Sequence, residues 1–188
     1  MKKVLTTYVV LLRGINVGGK NKVPMAELKM CLAQLGFIDV ITYIASGNVI
    51  LKSAQSAEIV KDHIEKALPV QFKLDSDLIK VLVLTSNQLE AIVAQKPKDF
   101  GDHPEKYYSD VIFLLNMSSD EALKVFNPRA GVDKIWQGDS VIYSQRLSSR
   151  RTQSRLSKIA VSPLYKSMTI RSWNTTTKLL MLLNSKRN

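Results

Sequence analysis

The sequence has few of the residues that build cross-links, metal sites or membrane spans. Cys31 is the only cysteine among the 188 residues, which excludes an internal disulfide and a cysteine-based zinc site and fits a reducing cytoplasm. The two histidines, His63 and His103, lie far apart in the chain and give no metal-ligand spacing. No apolar run exceeds about five residues, so no segment is expected to cross a membrane. The sequence therefore predicts a cytoplasmic protein without metal, cofactor or membrane partner.

Acidic residues are missing from the C-terminal quarter. Asp139 is the last carboxylate of the chain, so the residues after it carry almost all of the net charge of +11. The basic residues that follow it are Arg146, Arg150, Arg151, Arg155, Lys158, Lys166, Arg171, Lys178, Lys186 and Arg187. A segment without carboxylates cannot relieve its repulsion through helical i,i+4 ion pairs. We expect the counter-charge to come from an acidic face of the same protein, a partner, a phosphate ligand or salt.

The hydrophobic pattern predicts an α+β protein in two parts. Residues 1–85 follow the order strand, helix, strand, strand, helix, strand, which is the ferredoxin-like βαββαβ order. Residues 86–188 repeat this logic and are predicted to form a second, similar α+β unit that contains the basic C-terminal region. Its signals include a strand at Val111–Leu115, a Gly138-Asp139 hairpin and a basic helix from about Gln153 to Val161.

A glycine-containing loop joins the first strand to the first helix. Gly14-x4-Gly19-Lys20 matches most of a phosphate-loop pattern, but Asn21 stands where that pattern needs a magnesium-binding Ser or Thr. Magnesium-dependent nucleotide hydrolysis is therefore not predicted. Glycine backbone near a helix N-terminus still suits an anion. The alternative is a tight strand-to-helix turn with solvated basic residues.

Topology brings this loop to a second turn. In a βαββαβ sheet the third strand lies between the first two, so the end of the first strand and the hairpin turn at residues 45–48 share one edge. We expect the two turns to form a pocket for a negatively charged group. The predicted ligand-binding residues are Arg13, Asn16, Gly18, Gly19, Lys20, Ser46, Gly47 and Asn48.

The basic C-terminal region suggests a second site. Arg151, Arg155 and Lys158 are spaced i, i+4 and i+7, which predicts one helical face, and Trp173 precedes the last helix. One interpretation is a polyanion surface with an aromatic stacking platform. The other is a solvated basic face with Trp173 in the core and Asn174 or Thr175 as a helix cap. The candidate polyanion-binding residues are Arg150, Arg151, Arg155, Lys158, Arg171, Trp173, Asn174 and Thr175.

Several segments resemble the bacterial family called domain of unknown function 1697. They are Leu11–Lys20, Met25–Leu28, Leu35–Phe37 and Thr42–Val49, and Met168–Leu180 resembles a second signature of that family. The resemblance implies a compact α+β protein that begins with a ferredoxin-like unit, and it implies no reaction. Members usually read Arg-Asn-Trp-Asn-Thr in the second signature, where Ser172 replaces the first Asn here. A hydroxyl keeps only part of the hydrogen bonding of that amide.

These observations predict an anion-binding module whose ligand is nucleic acid or a nucleotide-like phosphate. Two alternatives stay open: an enzyme that acts on a small phosphorylated metabolite at the glycine loop, and an interaction protein that binds an acidic partner. No catalytic residue is predicted, because Ser46 lacks the G-x-S-x-G setting of a nucleophile elbow and no carboxylates pair across an evident cleft.

Overall fold

Two antiparallel sheets form the framework of the protein. The structure, a computed structural model, describes residues 4–75 and 79–185. These residues form a mixed α+β fold with two four-stranded sheets, as the sequence predicts. The chain divides into two compact units, one of Met1–Leu89 with Leu179–Asn188 and one of Glu90–Lys178.

The first unit follows the predicted order of strands and helices. Its elements are β1 (Thr6–Arg13), α1 (Met25–Gln34), β2 (Ile38–Tyr43), β3 (Asn48–Ser53), α2 (Ala57–Gln71) and β4 (Lys80–Thr85). The sheet order is β2-β3-β1-β4, and all neighbouring strands are antiparallel. The third strand therefore lies between the first and the second, which is the arrangement on which the predicted meeting of the two turns depends.

Both helices of this unit cover one face of the sheet. Leu28 and Leu32 of α1 lie four residues apart, as do Ile64 and Leu68 of α2, and all four are buried in one core. The helical period thus places them on the inner faces of α1 and α2. The sequence predicts that Pro69 ends α2, which is wrong. The helix continues to Gln71 because the N–H of Phe72 still donates to the Leu68 carbonyl at 2.9 Å.

The second unit repeats this strand order. Its strands are β5 (Tyr107–Leu114), β6 (Asp133–Gln137), β7 (Val141–Leu147) and β8 (Met168–Ser172), and the helices after β4 are α3 (Ser86–Ala94), α4 (Ser119–Leu123) and α5 (Trp173–Asn184). The sheet order is β6-β7-β5-β8, again antiparallel. Its third strand in sequence therefore lies between the first and the second, as in the first unit.

The sequence predicts capping boxes at Thr85 with Gln88 and at Ser118 with Glu121, at the starts of α3 and α4, and both are confirmed. The N–H of Gln88 donates to the Thr85 hydroxyl, and the N–H of Thr85 donates to the Gln88 side chain at 2.8 Å. Ser118 and Glu121 make the same reciprocal pair at α4. Such local signals depend on neighbours in sequence, so they are readable before any tertiary structure is known.

The predicted basic helix is wrong. The connection from β7 to β8 consists of three short 3₁₀ segments, Ser148–Gln153, Leu156–Val161 and Pro163–Ser167. Serine hydroxyls capture backbone N–H groups here, as Ser154 does from Leu156 and Ser162 from Leu164. Such bonds compete with the α-helical ladder, and like charges at i and i+4 oppose it further. Leu156 and Ile159 are still buried in a core with β5 and β7.

Aromatic rings fill the core on the other side of this second sheet. Phe100 is fully buried and makes edge-to-face contacts with Trp136, Tyr143 and Trp173, with ring centroids 5.2 to 5.9 Å apart. Gly101, at φ +77°, follows Phe100, and a Cβ there would overlap Cδ1 of Trp173. The absence of a side chain at Gly101 therefore lets the Trp173 indole reach Phe100.

Gly101→Ala is expected to cost more stability than Gly131→Ala. Both glycines have positive φ, but nothing lies within 4 Å of a Cβ at Gly131. Gly131→Ala therefore carries only the left-handed backbone penalty of about 1–2 kcal/mol. Gly101→Ala adds a displacement of the indole, worth at least about 1 kcal/mol more. Urea unfolding followed by tryptophan fluorescence measures both, and equal losses would contradict the packing described here.

Candidate functional site

The glycine loop (residues 14–21) and the turn between β2 and β3 lie side by side. The N–H of Leu12 donates to the Gly47 carbonyl at 2.7 Å, and Nδ2 of Asn16 donates to the Ala45 carbonyl at 2.9 Å. A Cβ on Gly47 would lie 2.8 Å from side-chain carbons of Leu12 and Ile15, so glycine is required for this approach. The predicted meeting of the two turns is confirmed.

The side chains expected to bind a ligand there have partners inside the protein. Nδ2 of Asn16 also donates to the Val23 carbonyl, and its Oδ1 accepts from the Val23 N–H at 2.8 Å. Nδ2 of the buried Asn48 donates to the Tyr43 carbonyl and to the Ser46 hydroxyl. These amides hold the two turns in shape. At the loop tip the predicted ligand residues Gly18, Gly19 and Lys20 are exposed, beside the exposed Val17.

Asn21 explains why the phosphate-loop match goes no further. Its side chain donates to the Gly14 carbonyl at 2.9 Å and accepts from the N–H of Asp75 at 2.8 Å. Asn21 is 9% exposed and has φ 49°, and its side chain lies inside the loop, where it connects the two ends. In a phosphate loop this position would carry a magnesium-binding hydroxyl. Here its side chain links the loop to residue 75 through hydrogen bonds. Arg13 remains at the end of β1, opposite Lys80 in β4.

The C-terminal arginines are placed by the 3₁₀ segments and do not share a helical face. Arg150 has non-helical backbone angles and marks a kink. Arg151 lies with Cζ 5.3 Å from the ring centroid of Tyr108. Nη1 of Arg155 lies 3.5 Å from Oδ1 of Asn127, and Lys158 is exposed. The predicted i, i+4, i+7 stripe is wrong, because it requires an α-helix that is not formed.

Asp133 anchors the start of this region. Its Oδ2 accepts from the N–H of Arg129 at 3.0 Å and from the N–H of Arg155 at 2.9 Å. Burial pushes the pKa of the carboxyl upward, but the hydrogen bonds from the Arg155 and Arg129 backbones outweigh burial and leave the pKa below its ordinary value. The carboxylate thus uses its charge mainly to fix backbone, and the nearby Arg146 guanidinium makes a smaller contribution.

The residues around the start of α5 divide into buried and exposed ones. Arg171 is 7% exposed, its Nη1 donates to the Thr169 hydroxyl and the Ile170 carbonyl, and burial lowers its pKa to about 10. It therefore does not lie on the expected basic surface. Trp173 packs on Phe100, Thr175 is buried, and Asn174 is exposed.

Ser172 caps α5, where the sequence predicts Asn174 or Thr175 as the cap. The N–H of Thr175 donates to the Ser172 hydroxyl at 3.2 Å, and the hydroxyl of Thr176 donates to the Ser172 carbonyl at 3.0 Å. Serine and asparagine are both strong N-cap residues. The replacement of the usual family asparagine by Ser172 therefore keeps the helix start.

Sequence reasoning missed a group of rings and cations at the start of β5. Nζ of Lys106 and Nζ of Lys134 lie 5.3 and 5.6 Å from the ring centroid of Tyr107, and Arg151 lies over Tyr108. We name Lys106, Tyr107, Tyr108, Lys134 and Arg151 the tyrosine–cation surface, which spans both faces of β5 because the consecutive residues Tyr107 and Tyr108 point to opposite sides of the strand. Lys106-Tyr107-Tyr108 is visible in the sequence, but Lys134 and Arg151 join it only through the pairing of β5, β6 and β7.

The cations of this surface have no counter-charge within the described residues. None of Lys106, Lys134 and Arg151 forms an ion pair there, and the ion pairs of the second unit engage Lys96 and Arg146 instead. Arg146 meets Asp110 at 2.8 Å. The charges of Lys106, Lys134 and Arg151 are thus left for solvent or a partner, and Arg151 is the one of the three that belongs to the carboxylate-free C-terminal quarter.

Comparisons with known proteins place this architecture in a family. A family model described as "Protein of unknown function (DUF1697)" matches residues 5–143. The chain belongs to this family. The DUF1697 match covers the glycine loop, Tyr107, Tyr108 and Lys134, whereas the predicted second signature lies outside it. The resemblance inferred from the motifs between Leu11 and Val49 is therefore confirmed.

One solved structure extends the comparison to nearly the whole chain. The structure of the conserved bacterial protein SP0830 from Streptococcus pneumoniae is similar to this DUF1697 protein, with 27% sequence identity and a TM-score of 0.80. The alignment covers 96% of this chain and 99% of that chain. It supports the mixed α+β fold of a conserved bacterial protein. No curated protein matches the chain.

The described residues were also compared with the requirements of a metal site and of a membrane span. Residues 4–75 and 79–185 contain no group of three or more His, Cys, Asp or Glu side chains placed to hold a metal ion. In the same part of the chain, no helix has both the length and the apolar character that a membrane span requires.

Asp133→Asn is expected to lower the free energy of unfolding by about 1–2 kcal/mol at pH 7, because two hydrogen bonds lose their charge assistance. The folded pKa of this carboxyl lies below its ordinary value of 3.8. Its contribution is therefore complete above that value and lost as the pH falls through the folded pKa. Urea unfolding at pH 7 and pH 3 measures the effect.

The exposed Asp139 provides the matched control for this prediction. Asp139→Asn removes the same charge without breaking a backbone anchor, so it should change stability by only a few tenths of a kcal/mol. A loss in Asp133→Asn that is equal at both pH values, or absent, would contradict the anchoring role.

Proposed function

We propose that this DUF1697 protein binds single-stranded nucleic acid on its tyrosine–cation surface. The observation that carries the proposal is the placement of Lys106, Lys134 and Arg151 over two tyrosine rings, with no carboxylate partner among the described residues. Cations bind phosphates, and tyrosine rings offer stacking platforms that every base can use.

Exposure and charge favour a flexible polyanion over a small ligand. Tyr108 is 48% exposed, so part of its ring is open to stacking. Arg150, Lys158 and Lys166 are exposed on the 3₁₀ segments of the same unit. A strand of phosphates can contact several such cations, whereas a single phosphate would contact only a few of them.

The glycine loop is a second candidate anion site. Gly18 and Gly19 have positive φ, are exposed, and donate no amide hydrogen bond among the described residues. This site would suit a small phosphorylated molecule, as an enzyme acting on such a metabolite would require.

Three further expectations belong to this proposal. The strand order of each sheet favours a ferredoxin-like arrangement in each unit. We also expect two domains, residues 1–85 and 86–188. A cytoplasmic location fits both the single cysteine and a nucleic-acid ligand. An acidic protein partner remains the competing explanation of the basic surface, and stoichiometric co-purification of such a protein would favour it.

The triple variant Lys106→Gln, Lys134→Gln, Arg151→Gln is expected to weaken oligonucleotide binding and its salt dependence. Each phosphate contact on a single strand contributes about 0.7 to the slope of log K against log salt, so losing three contacts should reduce the slope by about 2. Fluorescence anisotropy with a labelled oligonucleotide between 50 and 200 mM salt measures this.

The control is the triple variant Lys20→Gln, Lys22→Gln, Lys29→Gln, which removes three exposed charges from the first unit. It should leave the slope within about 0.5 of the unmodified protein, because it removes none of the three contacts. Loss of binding in this control instead of the first variant would assign the nucleic acid to the glycine loop. Absence of binding by the unmodified protein at 50 mM salt would overturn the proposal.

A further inference from the structure

A small cavity opens beside the tyrosine–cation surface. Its volume is about 150 Å³, and every residue that lines it belongs to the second unit. The lining residues are Gly101, Pro104, Tyr107, Tyr108, Ser109, Asp110, Ser172, Trp173 and Asn174. The cavity thus combines three aromatic side chains with hydroxyl and amide groups and with the Asp110 carboxylate, which is paired with Arg146 at 2.8 Å.

The end of β8 explains why the cavity exists. Ser172 is the last residue of β8 and pairs with Asp110, after which the chain turns into α5. Tyr107, Tyr108 and Ser109 therefore pair with β7 on one side only. Successive side chains of a strand point to opposite faces, so the two tyrosines flank this open edge of β5. Gly101 admits the Trp173 indole on the remaining side.

The size of the cavity admits one planar ring system. A cavity of about 150 Å³ holds a molecule of the size of benzene, and drug-sized ligands need at least about 300 Å³. A single nucleobase fits this space, and the choice between bases falls to hydrogen bonding. Aromatic walls favour such a ring through stacking, which gains about 1–3 kcal/mol per base in single-strand binding proteins.

Hydrogen bonding adds a second preference. The hydroxyl of Ser109 accepts from Nε2 of Gln145 at 3.1 Å, and its own proton is donated to no other group among the described residues. Asn174 is exposed at the cavity with an amide that both donates and accepts. Pyrimidines carry ring carbonyls that accept from such donors, and thymine and uracil carry two of them.

We infer that this cavity is a base pocket that takes one pyrimidine of a single strand, with the phosphates of that strand on the tyrosine–cation surface. The inference rests on the proposed function and deepens it by naming the preferred base class. Lys106, Lys134 and Arg151 lie over the tyrosines that line the pocket. A base in the pocket therefore keeps its own phosphates within reach of these cations.

The test compares a labelled dT12 strand with a dA12 strand and with a twelve-residue abasic strand by fluorescence anisotropy. The unmodified protein should bind dT12 about tenfold more tightly than dA12 and the abasic strand. Tyr107→Leu removes the ring and should bring the affinity for dT12 down to that for dA12. Tyr107→Phe keeps the ring and should keep the preference, so the pair separates stacking from loss of bulk.

Asn174→Trp provides a second variant that fills the pocket from an exposed position of α5. It should abolish the dT12 preference even if Tyr107→Leu fails to fold. Neither variant changes a charge, so the salt slope should stay as in the unmodified protein. An intact slope without a dT12 preference, or a preference that survives both variants, overturns the pocket while the surface stands. Absence of binding to all three strands overturns both.

Discussion

Positive charge that the chain does not neutralise shapes the second unit. No carboxylate follows Asp139, and the described residues supply an ion-pair partner to only a few of the cations around β5. The aliphatic parts of long cationic side chains pack on apolar surface. The charged groups of Lys106, Lys134 and Arg151 lie over tyrosine rings. Aromatic faces partly offset the repulsion, and they leave the outward side of each cation available to phosphate.

The two units reach the same strand order by different means. In the first, α1 and α2 cover the sheet with residues at helical spacing, such as Ile64 and Leu68. In the second, the crossover from β7 to β8 buries Leu156 and Ile159 from a 3₁₀ segment whose first turn depends on Asp133. The buried Asp133 carboxylate and serine hydroxyls fix the backbone of these 3₁₀ segments. Because the segments do not form an α-helix, their arginines do not line up on one helical face.

Sequence reasoning succeeded where the signal is local or follows from topology. The capping boxes at Thr85 and Ser118 depend on residues three positions apart, and the meeting of Asn16 with Ala45 follows from strand order. It failed where tertiary context decides. The burial of Arg171 and the loss of the basic helix depend on packing and on competing serine bonds. The approach of Lys134 to Tyr107 depends on the register of three strands.

Direct location of a bound strand tests the central claim, which is that nucleic acid lies on the second unit beside Tyr107 and Tyr108. A single strand carrying 4-thiothymidine can be cross-linked to the intact protein by light, and the modified peptides can be identified by mass spectrometry. The account predicts cross-links to Tyr107, Tyr108 or Trp173, which border the open edge of β5. Cross-links confined to residues 4–75, or none at low salt, would contradict it.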